Sequence, residues 1–390
     1  MDRLSDAAVE QFIAVRRDIH RHPELAFSER RTAALVAAQL GAWGYEVTTG
    51  LGGTGVVGQL KRGTSTRTLG LRADMDALPI AEATGVAWAS CEHGVMHACG
   101  HDGHTAMLLA AAHHLAQHGR FDGTLNLIFQ PAEEGGGGAL QMMEDGLFQR
   151  FPCDAIFAMH NMPGIPQGQL VFRGGPAMAS SDYATVTLHG HGGHGAMPHK
   201  ATDVVVAAAS LIMALQTVVS RHVDPMQPAV VTVGAIHAGE ANNVIPAEAR
   251  LEISVRTLDP QVRRSVEQRI RELVRLQAES FGVRAEIVWR PGYAVLVNDA
   301  TQTARALAVA QKHFPAEQIN PQGPIVSGSE DFAFMLERVP GSYLFIGNGV
   351  DGEPGACMVH NPAYDFNDLN IAPGAAYWIA LVQDLLSPAP

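Results

Sequence analysis

The sequence predicts an α/β protein in which one discontinuous domain is interrupted by a smaller α+β unit. Three observations carry this. Helical and strand-like stretches alternate through the first half of the chain. A β-α-β-β-α-β succession fills residues 181–291. The α/β character then resumes from residue 292. At 390 residues the chain also exceeds what one hydrophobic core ordinarily supports, so two domains are expected.

Residues 1–20, MDRLSDAAVEQFIAVRRDIH, have the spacing of an amphipathic helix, not the basic start and apolar run of a secretion signal. SERRTAALVAAQLGAW (28–43) reads as a second helix, with Ser28 as its N-cap and Gly44 as its stop. TGVVGQL (54–60) and TLGLRADM (68–75) are short apolar runs that read as strands, and residues 103–118 return to helical spacing. GTLNLIFQPAEE (123–134) and CDAIFAMHN (153–161) read as buried strands ending in polar residues. Sites in open α/β sheets form at the carboxyl ends of strands. Asp74 and Asp76, Glu133 and Glu134, and His160 all fall at or just past such ends.

In the interrupting unit, SDYATVTLHG is strand-like and ATDVVVAAASLIMALQTVVSR is helical. PAVVTVGAIHAG and ARLEISVRT are two strands, DPQVRRSVEQRIRELVRLQAESFG is an amphipathic helix, and VRAEIVWR is a last strand. This is the split βαβ, ferredoxin-like order. Its edge strands are open to pairing with another copy. VVVAAASLIMALQTVV (204–219) is short for a membrane span and carries a glutamine, so it reads as a buried helix.

Hydrophobic residues at 47% and charged residues at 17% fit a well-buried enzyme and exclude a disordered chain. A net charge of −12 without a basic cluster speaks against nucleic acid as a partner, and no membrane association is expected. Four cysteines in 390 residues make no disulfide framework, which points to a reducing, cytoplasmic setting. Cys99 therefore has no disulfide to serve.

Its surroundings offer another use. MHACGHDGHTAMLLAAAHHL (96–115) packs five histidines, a cysteine and an aspartate together. Cys99 and His101 stand two apart, and an extended segment would face both one way. Thiolate and imidazole together suit zinc or another borderline ion. QPAEEGGGG supplies Glu133 and Glu134 from a strand end: one carboxylate can bind metal while its neighbour works on water. His160 closes an apolar strand, and His360 precedes a proline turn in VHNPAYDFND. Each has a plain structural reading when taken alone. Jointly they form a donor set large enough for two ions. His194 sits in the glycine-rich GHGGHGAMPHKATD, where a mobile histidine could serve a reacting oxyanion. Asn243 and Arg256 would suit a substrate carboxylate.

Nine motifs occur in order: HRHPELAFSE, LRADMDALPI, HACGHDGHTA, FQPAEEGGGGA, MHNMPGIPQG, GGHGAMPHKATD, NNVIPAEA, GSEDFAFM and HNPAYDFND. From about residue 10 to about residue 375 the chain closely resembles the amidohydrolase branch of the M20 metallopeptidase family. That branch holds hippurate hydrolases, N-acyl-amino-acid amidohydrolases and auxin-conjugate hydrolases.

The resemblance implies a discontinuous two-metal hydrolase domain over residues 1–180 and 292–390, with an inserted dimerisation or lid domain over 181–291. It implies Cys99, His101, Glu134, His160 and His360 as ligands of two divalent ions, among them zinc, manganese, nickel or cobalt. Glu133 would be the general base and Asp76 an orienting carboxylate. Other branches carry His-x-Asp where this chain has Asp74-Met75-Asp76, and the Cys99/His101 pair makes up for the missing histidine. His194 would polarise the scissile carbonyl, reaching a neighbouring subunit's site. Asn243, Arg256, Gly328 and Ser329 would hold the carboxylate end of an N-acyl amino acid. A homodimer or homotetramer is implied. A metallo-dipeptidase, an N-acetyl-diaminopimelate-type deacetylase, and a binding protein that kept the fold are the competing readings.

Overall fold

In the computed structural model, which describes residues 4–388, the apolar runs of the first half pair with two later strands into one mixed sheet of eight strands. Its order is Glu46–Leu51, Gly55–Arg62, Gly123–Gln130, Thr68–Asp74, Ala155–Pro163, Gly341–Gly349, Leu170–Val171, Ile319–Asn320. The four strands from Gly123–Gln130 to Gly341–Gly349 run parallel. They are almost wholly buried, as strands covered on both faces must be, and this is why they read as continuous apolar runs. Register brings their ends level: Asp74 pairs with Gln130, and Arg72 with Ala158, two residues before His160.

The helix His101–His118 lies against this sheet, buried at every residue from His101 to Ala112. It packs on the helices Asp6–Arg21 and Ile371–Leu385. Two glycines set the spacing. A Cβ on Gly103 would stand 2.4 Å from the Phe366 ring, and one on Gly374 would stand 2.1 Å from Met107 Sδ. Arg16, fully buried on the first helix, places Nε 2.8 Å from Asp102 Oδ2 and also pairs with Asp365 and Asp368.

Several boundaries differ from the sequence reading. The first helix runs Asp6–Arg21, capped by Ser5; residues 1–3 of its predicted span lie outside the described residues. The second runs Arg30–Ala42, and Ser28 does not cap it. The chain turns at Phe27 (φ 60°), and the Glu24 carboxylate comes back to accept from the N–H groups of Arg31 and Thr32. The third helix begins at His101 rather than 103, so Cys99 and His101 do not share an extended segment. Gly100, at φ 91°, turns the chain between them, a left-handed conformation that a side chain resists.

The chain divides into two compact units. The larger comprises residues up to Gly175, Val297–Pro324 and Asp331 onward; the smaller comprises Pro176–Leu296 and Ile325–Glu330. The succession of elements in the sequence places the boundaries at 180/181 and 291/292 and leaves 325–330 with the larger unit. The smaller unit carries a four-stranded antiparallel sheet in the order Ala229–Ala238, Glu248–Thr257, Asp182–His189, Arg284–Pro291. The helices Val204–Thr217 and Pro260–Ser280 cover one face, around Val186, Leu211, Leu251 and Ile270. Val204–Thr217 buries only one side: Val205, Val206 and Met213 are exposed at 41%, 52% and 70%. The segment Val204–His222 has the length and hydropathy of a membrane span, yet its apolar inner side is taken up by this unit's sheet.

Candidate metal centre

The level ends of the parallel strands, the turn at Gly100 and the loop after Gln130 deliver one cluster of donors. Cys99 Sγ is 3.3 Å from His160 Nε2. Glu134 Oε1 is 3.1 Å from His360 Nε2 and 4.0 Å from His101 Nε2. Cys99, His101 and His160 form one three-donor group and Cys99, Glu134 and His360 another, each with ligand atoms within 4.8 Å of one another. They share only Cys99. Glu133 joins His101 and Glu134 in a third such group.

Hydrogen bonds aim these donors. His101 Nδ1–H donates to Asp76 Oδ1 at 3.1 Å, which turns Nε2 inward, and the other Asp76 oxygen accepts the Glu134 N–H at 2.9 Å. His160 Nδ1–H donates to the Asn161 carbonyl at 2.6 Å, so its Nε2 lone pair faces Cys99. Carboxylate and carbonyl partners of this kind fix tautomer and ring orientation. His360 stands at φ 65° with its N–H on the Ala98 carbonyl at 2.7 Å, which ties the C-terminal loop to the Cys99 segment.

The electrostatics favour a cation. His101 Nε2 is buried without a hydrogen-bond partner. Burial alone would lower the His101 imidazolium, but the carboxylates of Asp74, Asp76 and Glu134 raise it to about 10. Burial and the nearby carboxylates of Glu134, Glu133 and Asp74 push the Cys99 thiol well up. Burial and the neighbouring His104 hold His160 neutral, well below its usual range. Carboxylates crowd around soft and borderline donors whose metal-binding forms are thiolate and neutral imidazole. A divalent cation would neutralise that excess charge, so the residues present fit one.

A supporting network pairs Asp74 with His104, two residues whose partnership sequence spacing does not reveal. His104 Nδ1–H donates to Asp74 Oδ1 at 2.6 Å, and its Nε2 accepts from the Asn161 N–H at 2.9 Å. Arg72 Nη1 donates to Asp74 Oδ2 at 2.7 Å, and Asn161 Nδ2 donates to the Cys99 carbonyl. Asp74 and His104 thus brace the strand end and the Cys99 turn. His97 is buried with neither ring nitrogen partnered, and burial pushes it down to about 4.

The other predicted residues lie in the smaller unit. His194 is exposed on a two-residue strand, Gly193–His194, that pairs with Val244–Ile245; the Gly195 N–H donates to the Asn243 carbonyl. The Ala196 N–H donates to His194 Nδ1, so Nε2 carries the proton and is a donor. Arg256 Nη1 is buried without a hydrogen-bond partner. The Gly328 carbonyl accepts from Ala179, and Ser329 is half-buried.

Residues 70–384 match peptidase family M20/M25/M40, and the chain belongs to it, within its amidohydrolase branch. It is an enzyme of the amidohydrolase class. It is 44% identical over 376 residues to the hippurate hydrolase of Campylobacter jejuni, covering 96% of this chain and 97% of that one. It is 39% identical over 378 residues to the N-acetyl-L-cysteine deacetylase of Bacillus subtilis, covering 97% of this chain and 88% of that one. The crystal structure of the Bacillus subtilis YXEP protein, described as a dinuclear metal binding peptidase of the M20 family, superposes with a TM-score of 0.85 at 32% identity. It covers 99% of this chain and 100% of that one.

Proposed function

We propose that this enzyme hydrolyses the amide bond of N-acyl amino acids, hippurate included, to a carboxylic acid and a free amino acid. One observation carries the reading. Glu133 stands in the donor cluster beside Glu134 and His101, and the buried Nε2 of His101 has no hydrogen-bond partner. The hippurate hydrolase and deacetylase relatives support the substrate class.

Cys99, His101, Glu134, His160 and His360 would hold two divalent ions, zinc, manganese, nickel or cobalt, whose chemistry is to polarise a carbonyl and make water acidic. Glu133 takes the proton of the attacking water and passes it to the leaving amine. Asp76 keeps His101 and Glu134 aimed. His194 donates its Nε2–H to the carbonyl oxygen as negative charge builds there, delivered from a neighbouring subunit. Asn243, Arg256, Gly328 and Ser329 take the substrate's carboxylate. We further propose a homodimer through the smaller unit, working in the cytoplasm, where the Cys99 thiol stays reduced.

The test is release of free amino acid from hippurate and from an acyl series running from acetyl through benzoyl to long chains, with and without chelator. Chelator-sensitive release from hippurate is expected. Release confined to dipeptides or to N-acetyl-diaminopimelate would move the activity to those substrates. No release from any of them would overturn the reading.

A further inference from the structure

Of the described residues, three other than glycine adopt positive φ: Phe27 (60°), Ala132 (52°) and His360 (65°). An L-residue pays for this conformation and keeps it only where its surroundings enforce it. Two of the three hang from one atom. Glu29 Oε1 accepts the Phe27 N–H at 3.0 Å and the Ala132 N–H at 2.9 Å, while Oε2 accepts from the Thr54 hydroxyl. Glu29 is 0% exposed and stands at the head of the helix Arg30–Ala42, outside every group of donors described above.

Ala132 immediately precedes Glu133 and Glu134. Its carbonyl accepts from the Gly138 N–H at 3.0 Å, so the loop is pinned on both sides of Ala132: by Glu29 at the N–H and by Gly138 at the carbonyl. A glycine at 132 would take this conformation unaided. With alanine there, a strong acceptor must hold it. We propose that Glu29 is a positioning residue: its buried carboxylate locks Ala132 left-handed and so aims Glu133 toward the reacting water and Glu134 toward its ion. The inference rests on the roles proposed above for those two glutamates.

The experiment uses the full chain and three variants: Glu29→Ala, Glu29→Gln and the double variant Glu29→Ala/Ala132→Gly. The apoprotein of each is titrated with Co²⁺, followed by its visible and thiolate-to-metal absorption bands. Turnover of hippurate at saturating metal is measured alongside. Loss of a residue that orients ligands typically costs about 10- to 100-fold in metal affinity or activity. Glu29→Ala should lose about that much in Co²⁺ affinity and in kcat, with little change in KM. Glu29→Gln, whose amide oxygen can still accept both N–H groups, should stay close to wild type. The double variant should recover most of the loss. Wild-type Co²⁺ affinity and kcat in Glu29→Ala would overturn the proposal, as would a double variant no better than Glu29→Ala. Should Glu29→Ala fail to fold by circular dichroism, Glu29→Asp, which withdraws the carboxylate by one methylene, takes its place with the same expected loss and rescue. The Co²⁺ titration needs no substrate, so it reads the positioning role even if hippurate is not hydrolysed.

Discussion

At Glu133 a single substitution separates proton transfer from metal holding. Glu133→Ala should lower kcat by about 10²- to 10⁴-fold or more, the span of general-base catalysis, with metal content unchanged by elemental analysis. Near wild-type rates from the folded variant would exclude the base. Cys99→Ala should behave oppositely and lose metal, because Cys99 joins the His101/His160 group to the Glu134/His360 group; unchanged metal content would remove it as a ligand. A third expectation concerns His20. Burial alone would lower its pKa, but the Asp102 carboxylate 2.8 Å from Nδ1 raises it to about 9. A raised histidine stabilises fully below its unfolded pKa of about 6.5, and the contribution is lost as pH rises through the folded value. That amounts to about 3 kcal/mol at most. In urea unfolding at fixed metal, the stability gap between wild type and His20→Gln should therefore shrink between pH 6.5 and pH 9.5; a constant gap would refute the assignment. Cys99, His101, Glu133 and Glu134 were legible in the sequence because thiol, imidazole and paired carboxylates stand close together in short stretches. Asp74 with His104, and Glu29 with Ala132, were not. Their bonds span 30 and 103 positions and leave no local pattern.

Among the elements, the helix His101–His118 is tightly enclosed: it carries a proposed metal donor at its first residue and is buried at every residue from His101 to Ala112. Gly103→Ala would drive a methyl into the Phe366 ring. Overpacking of this kind typically costs about 1–3 kcal/mol. Lower stability in chemical denaturation should come together with weaker metal retention, because the shifted turn carries His101; loss of neither would show that the helix yields without cost. Element identity was readable from apolar periodicity. Element ends were read less well. Ser28 is a good cap residue by type, yet the turn at Phe27 gives the orphan N–H groups to Glu24. Likewise Gly100 lets the helix start at His101, two residues after Cys99, where spacing alone suggests an extended pair.

For the whole molecule, the two-domain plan could be read from the succession of elements, because each unit keeps its own core. What the sequence could not show was that 325–330 joins the smaller unit, since that grouping depends on contacts such as Ala179 with Val326. The proposed dimer has its surface in this unit: Val206 and Met213 on the helix, and Val230 and Ile236 on the edge strand, are all exposed. Val206→Glu with Met213→Glu should shift the sedimenting species to monomer; an unchanged mass would place any dimer contact elsewhere. Arg16 has a consequence for how the chain is made. Its buried guanidinium waits on Asp365 and Asp368, 349 and 352 positions downstream. The inner strand Gly341–Gly349 also arrives late, to be seated beside Ala155–Pro163. The helix Asp6–Arg21 can therefore meet Asp102 and the helix His101–His118 early, but it completes its ion pairs only once residues 365–368 have been made. The smaller unit is nearly contiguous and can close while the rest of the larger unit is still being translated. Through that interval the larger unit's sheet lacks its inner strand Gly341–Gly349, and an unpaired strand edge of this kind is aggregation-prone.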